Sequence, residues 1–266
     1  MKKLIAIIIC FGFVLSVTAA YAAPVGNIAT PSTLKKGIIY KDEAAQFAVV
    51  AGGEVDLTWD QNLKRQDNDT EYYLYGGKIG VLIMDRFMPY AILGAAEAKK
   101  QQFNINSNKI KWETDYDFVW GVGGTAMLYE TKLEGMGNGT LRIGVDGKYR
   151  QSHLKVDKVV RDGVSYNTSD AAVTQSKYEL EQWQVALAVS YQIDQIIPYV
   201  GVKYSDATGE AVTKIDGLSY KNDFENEDNV GIFVGGDILL NDSFTANIEG
   251  RFIDETALSL GATLRF

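Results

Sequence analysis

Cysteine is nearly absent from this chain: the single one among 266 residues is Cys10, inside an N-terminal apolar run. Once that run is set aside no disulfide can form, so an exported product must be held together by something other than cross-links. Long apolar runs are missing too. After residue 22 nothing approaches the roughly 18–20 apolar residues that a helical membrane span needs. Basic excess is lacking: without Lys2 and Lys3 the 26 basic residues fall to 24 against 34 acidic ones, a net charge of −10. That argues against nucleic acid, whose binders carry basic stripes. There is one histidine, His153, and no glycine loop of the phosphate-cradling kind.

The start of the chain reads as a secretory signal peptide over residues 1–22. Lys2 and Lys3 make its positive end, Leu4 to Val17 its apolar stretch, and Ala20-Tyr21-Ala22 a small-x-small cleavage site. Residues 23–45, broken by Pro24, Gly26, Pro31 and Gly37, read as a periplasmic lead-in. From 46 to 266 the pattern is alternation. Leu258, Leu260, Ala262, Leu264 and Phe266 fall on one face of the last stretch, and Ser259, Gly261, Thr263 and Arg265 on the other. A period of two is that of a strand with one oily and one wet side. The same pattern predicts strands at 47–60, 71–83, 89–101, 115–129, 140–153, 177–193, 198–206, 229–240, 244–252 and 257–266. Long polar loops are expected over 61–70, 102–114, 154–176 and 207–228, with shorter turns between them.

These features predict an all-β fold: a transmembrane, antiparallel, up-and-down β-barrel of about ten strands. A tilted membrane strand needs roughly 9 to 11 residues. An even strand count, with long loops alternating with short turns, fits bacterial outer-membrane barrels and puts both termini in the periplasm. The terminal Phe266 resembles the signal such barrels present to their assembly machinery. A weak repeat joins two short turns, Met84-Asp85-Arg86-Phe87-Met88-Pro89-Tyr90 and Ile193-Asp194-Gln195-Ile196-Ile197-Pro198-Tyr199. Its tyrosines are expected in an aromatic girdle at the membrane edge.

The ends also carry a family likeness. Pro24-Val25-Gly26-Asn27 with Ala29 and Pro31-Ser32, and Glu249-Gly250-Arg251-Phe252-Ile253-Asp254-Glu255-Thr256-Ala257 through Arg265-Phe266, resemble the two ends of the chlamydial major outer membrane protein, a porin family. The resemblance implies a general diffusion channel in the outer membrane. Those porins are longer, have more strands and are rich in cysteine, so this chain resembles a shortened member.

The expected function is a porin-type channel for passive diffusion of ions and small hydrophilic solutes, without cofactor or metal, in contact with outer-membrane lipid. Its pore-lining candidates are the inward set: Glu54, Asp56, Lys78, Glu97, Lys99, Arg142, Asp146, Lys148, Arg150, Lys203, Asp237, Glu249, Arg251 and Arg265. Rings of such charge set ion preference, and the 140–153 strand is the expected positive constriction. The competing reading is that these charges pair and plug a narrow barrel. That would leave a structural or adhesive barrel acting through its outer loops. An outer-membrane protease or lipid-modifying enzyme is the third. It would need His153 to meet a carboxylate and a nucleophile, and Ser152 and Asp157 are the near candidates. The acidic loops at 67–69 and 225–228 lack EF-type calcium spacing.

Overall fold

The computed structural model describes residues 24–29, 33–38, 46–60, 71–99, 101–105, 108–133 and 139–266. The expected signal peptide lies outside them. Fifteen strands follow in order: β1 (Phe47–Asp60), β2 (Glu71–Ile83), β3 (Phe87–Lys99), β4 (Gln101–Ile105), β5 (Asn108–Thr114), β6 (Asp117–Leu133), β7 (Gly139–Leu154), β8 (Val156–Arg161), β9 (Val164–Asn167), β10 (Val173–Gln192), β11 (Ile196–Ile215), β12 (Leu218–Glu225), β13 (Val230–Asn241), β14 (Phe244–Phe252) and β15 (Thr256–Arg265). Ten of them form a ring, β10-β7-β6-β3-β2-β1-β15-β14-β13-β11, closed by pairing of β10 with β11. Every neighbouring pair is antiparallel. Closure leaves the ring without an edge.

The side chains turn the usual protein inside out. Along β10, Trp183, Val185, Leu187 and Val189 are exposed while Gln182, Gln184 and Ser190 are buried. Val185 is 51% exposed and its neighbour Gln184 only 3%. A water-facing surface would not carry this apolar band, and a lipid-facing one requires it. Aromatic residues bound the band. Tyr75 with Tyr116 (5.6 Å), Trp120 with Tyr149 (5.9 Å) and Trp183 with Tyr204 (5.3 Å) pair toward the end that carries the long connections. Phe47, Phe87 and Tyr129 are exposed near the other.

The expected girdle tyrosines are elsewhere. Tyr90 and Tyr199 are buried inside the barrel. Tyr90 lies opposite Gly123 in register and Tyr199 opposite Gly235. A Cβ at Gly123 would stand 2.5 Å from Tyr90 Cζ, and one at Gly235 closer still to Tyr199 Cζ. Each ring therefore lies in a space only glycine leaves. Each hydroxyl then donates to a carboxylate two strands away, Tyr90 to Asp146 (2.7 Å) and Tyr199 to Glu249 (3.1 Å). The weak repeat at the short turns encodes this pinning of the inner wall.

Three stretches expected as polar loops are folded. β4, β5, β8 and β9 form a four-stranded sheet, and β12 extends the wall by pairing with β11. Phe103, Ile110, Trp112, Val156, Val159, Tyr220 and Phe224 of this cap pack with Tyr72, Leu74, Val119, Tyr178 and Leu180 of the barrel strands in one buried cluster. Trp112 Nε1–H donates to Thr213 Oγ1 at 2.7 Å. Two turns of the cap share the pattern Asp-Gly-x-Ser-Tyr, Asp162-Gly163-Val164-Ser165-Tyr166 and Asp216-Gly217-Leu218-Ser219-Tyr220. Both Asp-Gly pairs have positive φ, 49° and 85° at the first and 52° and 78° at the second, as a two-residue hairpin turn requires. Arg161 joins the hairpins, donating to Tyr166 (2.8 Å), Tyr220 (3.4 Å) and Asp216 (3.2 Å).

Candidate functional site in the barrel lumen

Twelve of the fourteen pore-lining candidates sit on inward-facing positions of the wall. The exceptions are Glu97 and Lys99. β3 is apolar on its inner face along its whole length, and on much of its outer face. Its inward set is Tyr90, Ile92, Ala96 and Ala98, all buried, while Phe87 and Leu93 are exposed outside. Glu97 and Lys99 share the outward face, paired to each other at 2.9 Å, with Lys99 5.5 Å from the centre of the Tyr73 ring. The expected assignment of faces on this strand is reversed because its inner face is itself apolar: Ala96 and Ala98 belong to the cap cluster, and Tyr90 and Ile92 to a second buried cluster with Val50, Leu82 and Met88.

The inward charges form two levels. Toward the cap, Arg251 is ion-paired to Asp56 (2.5 Å) and Glu255 (2.5 Å), and Lys203 to Glu255 (2.5 Å) and Asp254 (2.9 Å). All five are fully or almost fully buried. Asp254 and Glu255 belong to the turn between β14 and β15, which folds inward. Ser205 Oγ–H also donates to Asp254 at 2.9 Å. In the sequence this stretch is a short turn between two predicted strands and part of the C-terminal family likeness. Ile253, with φ 83°, has the left-handed backbone that an inward kink uses, and no composition signal marks it. Burial pushes the Asp254 carboxyl up to about 6, with Lys203 pulling the other way.

Nearer the short turns lies a cavity of about 70 Å³, bordered by Glu54, Lys78, Asp237, Asn247 and Ser259. Lys78 Nζ stands 4.6 Å from the centre of the Tyr90 ring. Its far wall is not a strand at all. Pro24–Ala29, part of the expected lead-in, lies inside the barrel. Val25 and Gly26 donate their N–H groups to the two oxygens of Glu249, each at 2.9 Å. Asn27 Nδ2 donates to Asp237 at 2.7 Å, and Lys148 to the Pro24 carbonyl. Val25 and Ile28 pack with Ala186, Ala188, Tyr199 and Phe233. Further along, Arg265 donates to the Leu34 carbonyl (2.5 Å) and to Asp85 (2.8 Å). The Lys35 and Lys36 N–H groups reach the Asp242 carbonyl at 2.9 and 3.2 Å. No periodicity in Pro-Val-Gly-Asn announced this placement, since the partners are more than 120 residues away.

The expected positive constriction on β7 is already partnered. Arg142 donates to Glu130 (2.5 Å) and Gln192 (2.8 Å). Lys148 sits 3.4 Å from Asp146. Arg150 donates to Gln182 (2.7 Å) and lies 5.3 Å from the centre of the Tyr72 ring. The β1 acid, Asp56, is ion-paired to Arg251 of β14.

His153 and Ser152, which the catalytic alternative needs together, are not brought together. His153 is exposed on the outer face of β7, 3.3 Å from Glu179, while the adjacent Ser152 is buried inside with Tyr72. The two side chains leave opposite faces of one strand. Among the described residues no group of three or more His, Cys, Asp and Glu side chains is placed to hold a metal.

Comparison with known proteins extends the likeness beyond the two ends. The family model described as Chlamydia major outer membrane protein matches residues 163–218, which run from the first Asp-Gly turn through β10 and β11 to the second. The major outer membrane porin, serovar H, of Chlamydia trachomatis is 22% identical over a 407-residue alignment covering 100% of both chains. The major outer membrane porin of Chlamydia pneumoniae is 22% identical over 399 residues, again 100% of both. Among solved structures, an outer membrane channel from Pseudomonas putida F1 covers 95% of this chain and 100% of its own, at 10% identity and a TM-score of 0.39.

Proposed function

We propose that this outer-membrane β-barrel, a relative of the chlamydial major outer membrane porins, is a porin-type channel whose lumen passes ions and small hydrophilic solutes. One observation carries the reading. The polar and charged side chains line the inside of a closed wall, and beside their own pairs the lumen holds three pieces that are not wall: the Pro24–Ala29 segment, the Asp254–Glu255 turn and the cap. A charged inner ring is how such barrels set ion preference. Phe266, whose N–H donates to the Val49 carbonyl at 2.8 Å, is the proposed assembly signal, and outer-membrane lipid the partner of the apolar band.

A second reading rests on the buried cluster that joins the cap to the barrel mouth. It is a folded unit of the kind that a barrel acting through its outer surface would carry. Single-channel recording of the refolded protein in planar bilayers decides. Stable ohmic steps, with a reversal potential under a salt gradient, support the channel. A barrel that is folded by its heat-modifiable gel mobility yet silent, together with lost surface attachment when β8–β9 and β12 are removed, establishes the second reading instead.

A further inference from the structure

We propose that the inner wall around Glu249, Asp237 and Lys148 is a peptide-binding site, and that Pro24–Ala29 is its tethered ligand, shutting the conduit while bound. This rests on the channel reading and adds its regulation. The contacts are those of peptide recognition. One carboxylate accepts two successive backbone N–H groups, Val25 and Gly26, and a lysine reaches the preceding carbonyl. An asparagine side chain is read by Asp237. Val25 and Ile28 seat in an apolar patch of Ala186, Ala188, Tyr199 and Phe233. Gly144 leaves Ile28 its room: a Cβ there would stand 2.5 Å from Ile28 Cγ2. None of these contacts is a ladder bond, and β1 closes on β15 without them. The segment can therefore leave without opening the wall. Held on its own chain, a weak site stays filled, because tethering supplies a high effective concentration.

The test uses the chain refolded from residue 23 and a variant in which 24–29 are replaced by a Gly-Ser run of equal length, both checked for folding by gel mobility. The variant is expected to carry at least ten times the mean current of the parent. The synthetic peptide Ala-Pro-Val-Gly-Asn-Ile-Ala, added to the side bearing the short turns, is expected to close it. E249Q in the variant is expected to weaken that block about tenfold. Fluorescence anisotropy of the labelled peptide reads binding without current. Binding by a variant that stays silent upholds the site and refutes the channel reading. Equal currents from parent and variant overturn the blocking role, and absent peptide binding overturns the site, whatever the conductance.

Discussion

The Tyr199–Gly235 contact gives a sharp test of the inner wall, because the next residue is its own control. A Cβ at Gly235 would collide with the Tyr199 ring and stand 2.6 Å from the Ile248 carbonyl, whereas one at Gly236 meets nothing within 4 Å. Gly236 lies on the lipid side, where Gly→Ala removes freedom from the unfolded chain and stabilises by about 0.4–1 kcal/mol. At Gly235 the same gain is outweighed by overpacking of about 1–3 kcal/mol. G235A is therefore expected to unfold at lower urea than the parent, and G236A at equal or higher urea. Since that gain is common to both, the two neighbours should differ by the overpacking cost, about 1–3 kcal/mol. Urea titration of the barrel folded in lipid vesicles, followed by tryptophan fluorescence and gel mobility, measures both. In a Tyr199→Ala background the ring is gone and only the carbonyl contact remains, so G235A should cost less there. Equal stability of G235A and G236A would refute the packing argument. An unchanged cost without the tyrosine would show that the ring plays no part in it.

Three further outcomes follow from the same geometry. R251M leaves Asp56 buried without its ion-pair partner and Glu255 with Lys203 alone, and should destabilise the barrel by about 3–5 kcal/mol, with part regained on adding D56N. A neutral R251M in the same urea titration would mean that water already serves this level. Lowering the pH through about 6 protonates Asp254, removes one negative charge from the upper level and should shift the reversal potential toward anions. D254N should abolish that shift, and a shift surviving in D254N would reject the assignment. The raised carboxyl also favours folding most below the ordinary carboxylate value of about 3.9, a contribution lost as pH rises through about 6. L187R places a cation on the lipid face and should cost about 2–4 kcal/mol if the residue lies near the midplane. A fully stable L187R would argue against lipid contact at that site.

The barrel was legible because its outer face is apolar nearly everywhere. Strands such as β7, where Leu141, Ile143 and Val145 alternate with Arg142, Gly144 and Asp146, declare both their length and their faces. Where the inner face turns apolar the alternation loses its sign. β3 is the case, with Ile92 and Ala96 inside and Leu93 outside, and Glu97 and Lys99 went to the wrong side with it. The cap was hidden by average polarity. Phe103, Ile110, Trp112 and Val159 are few among many charged neighbours, and the turn signal that gives them away is the repeated Asp-Gly. The lumen segment left no periodic trace, because a chain held by its backbone groups needs no side-chain pattern. Its signal was the sequence likeness over Pro24-Val25-Gly26-Asn27, which marked the stretch without saying where it goes.

Glu249 ties these levels together. It is fully buried, yet its nearest cation, Arg251, is 3.6 Å away and already ion-paired to Asp56 and Glu255. Three neutral donors hold the carboxylate instead: the N–H groups of Val25 and Gly26 and the hydroxyl of Tyr199. A buried carboxylate must be satisfied by donors or give up its charge. When the segment leaves, two of the three go with it and water must take their place. Tyr199 remains, fixed over Gly235, and keeps the carboxylate aimed at the vacated ground. The inner wall is thus pre-shaped for the segment's return, and the turn repeat that seats Tyr199 serves both the rigidity of the barrel and the occupancy of its lumen.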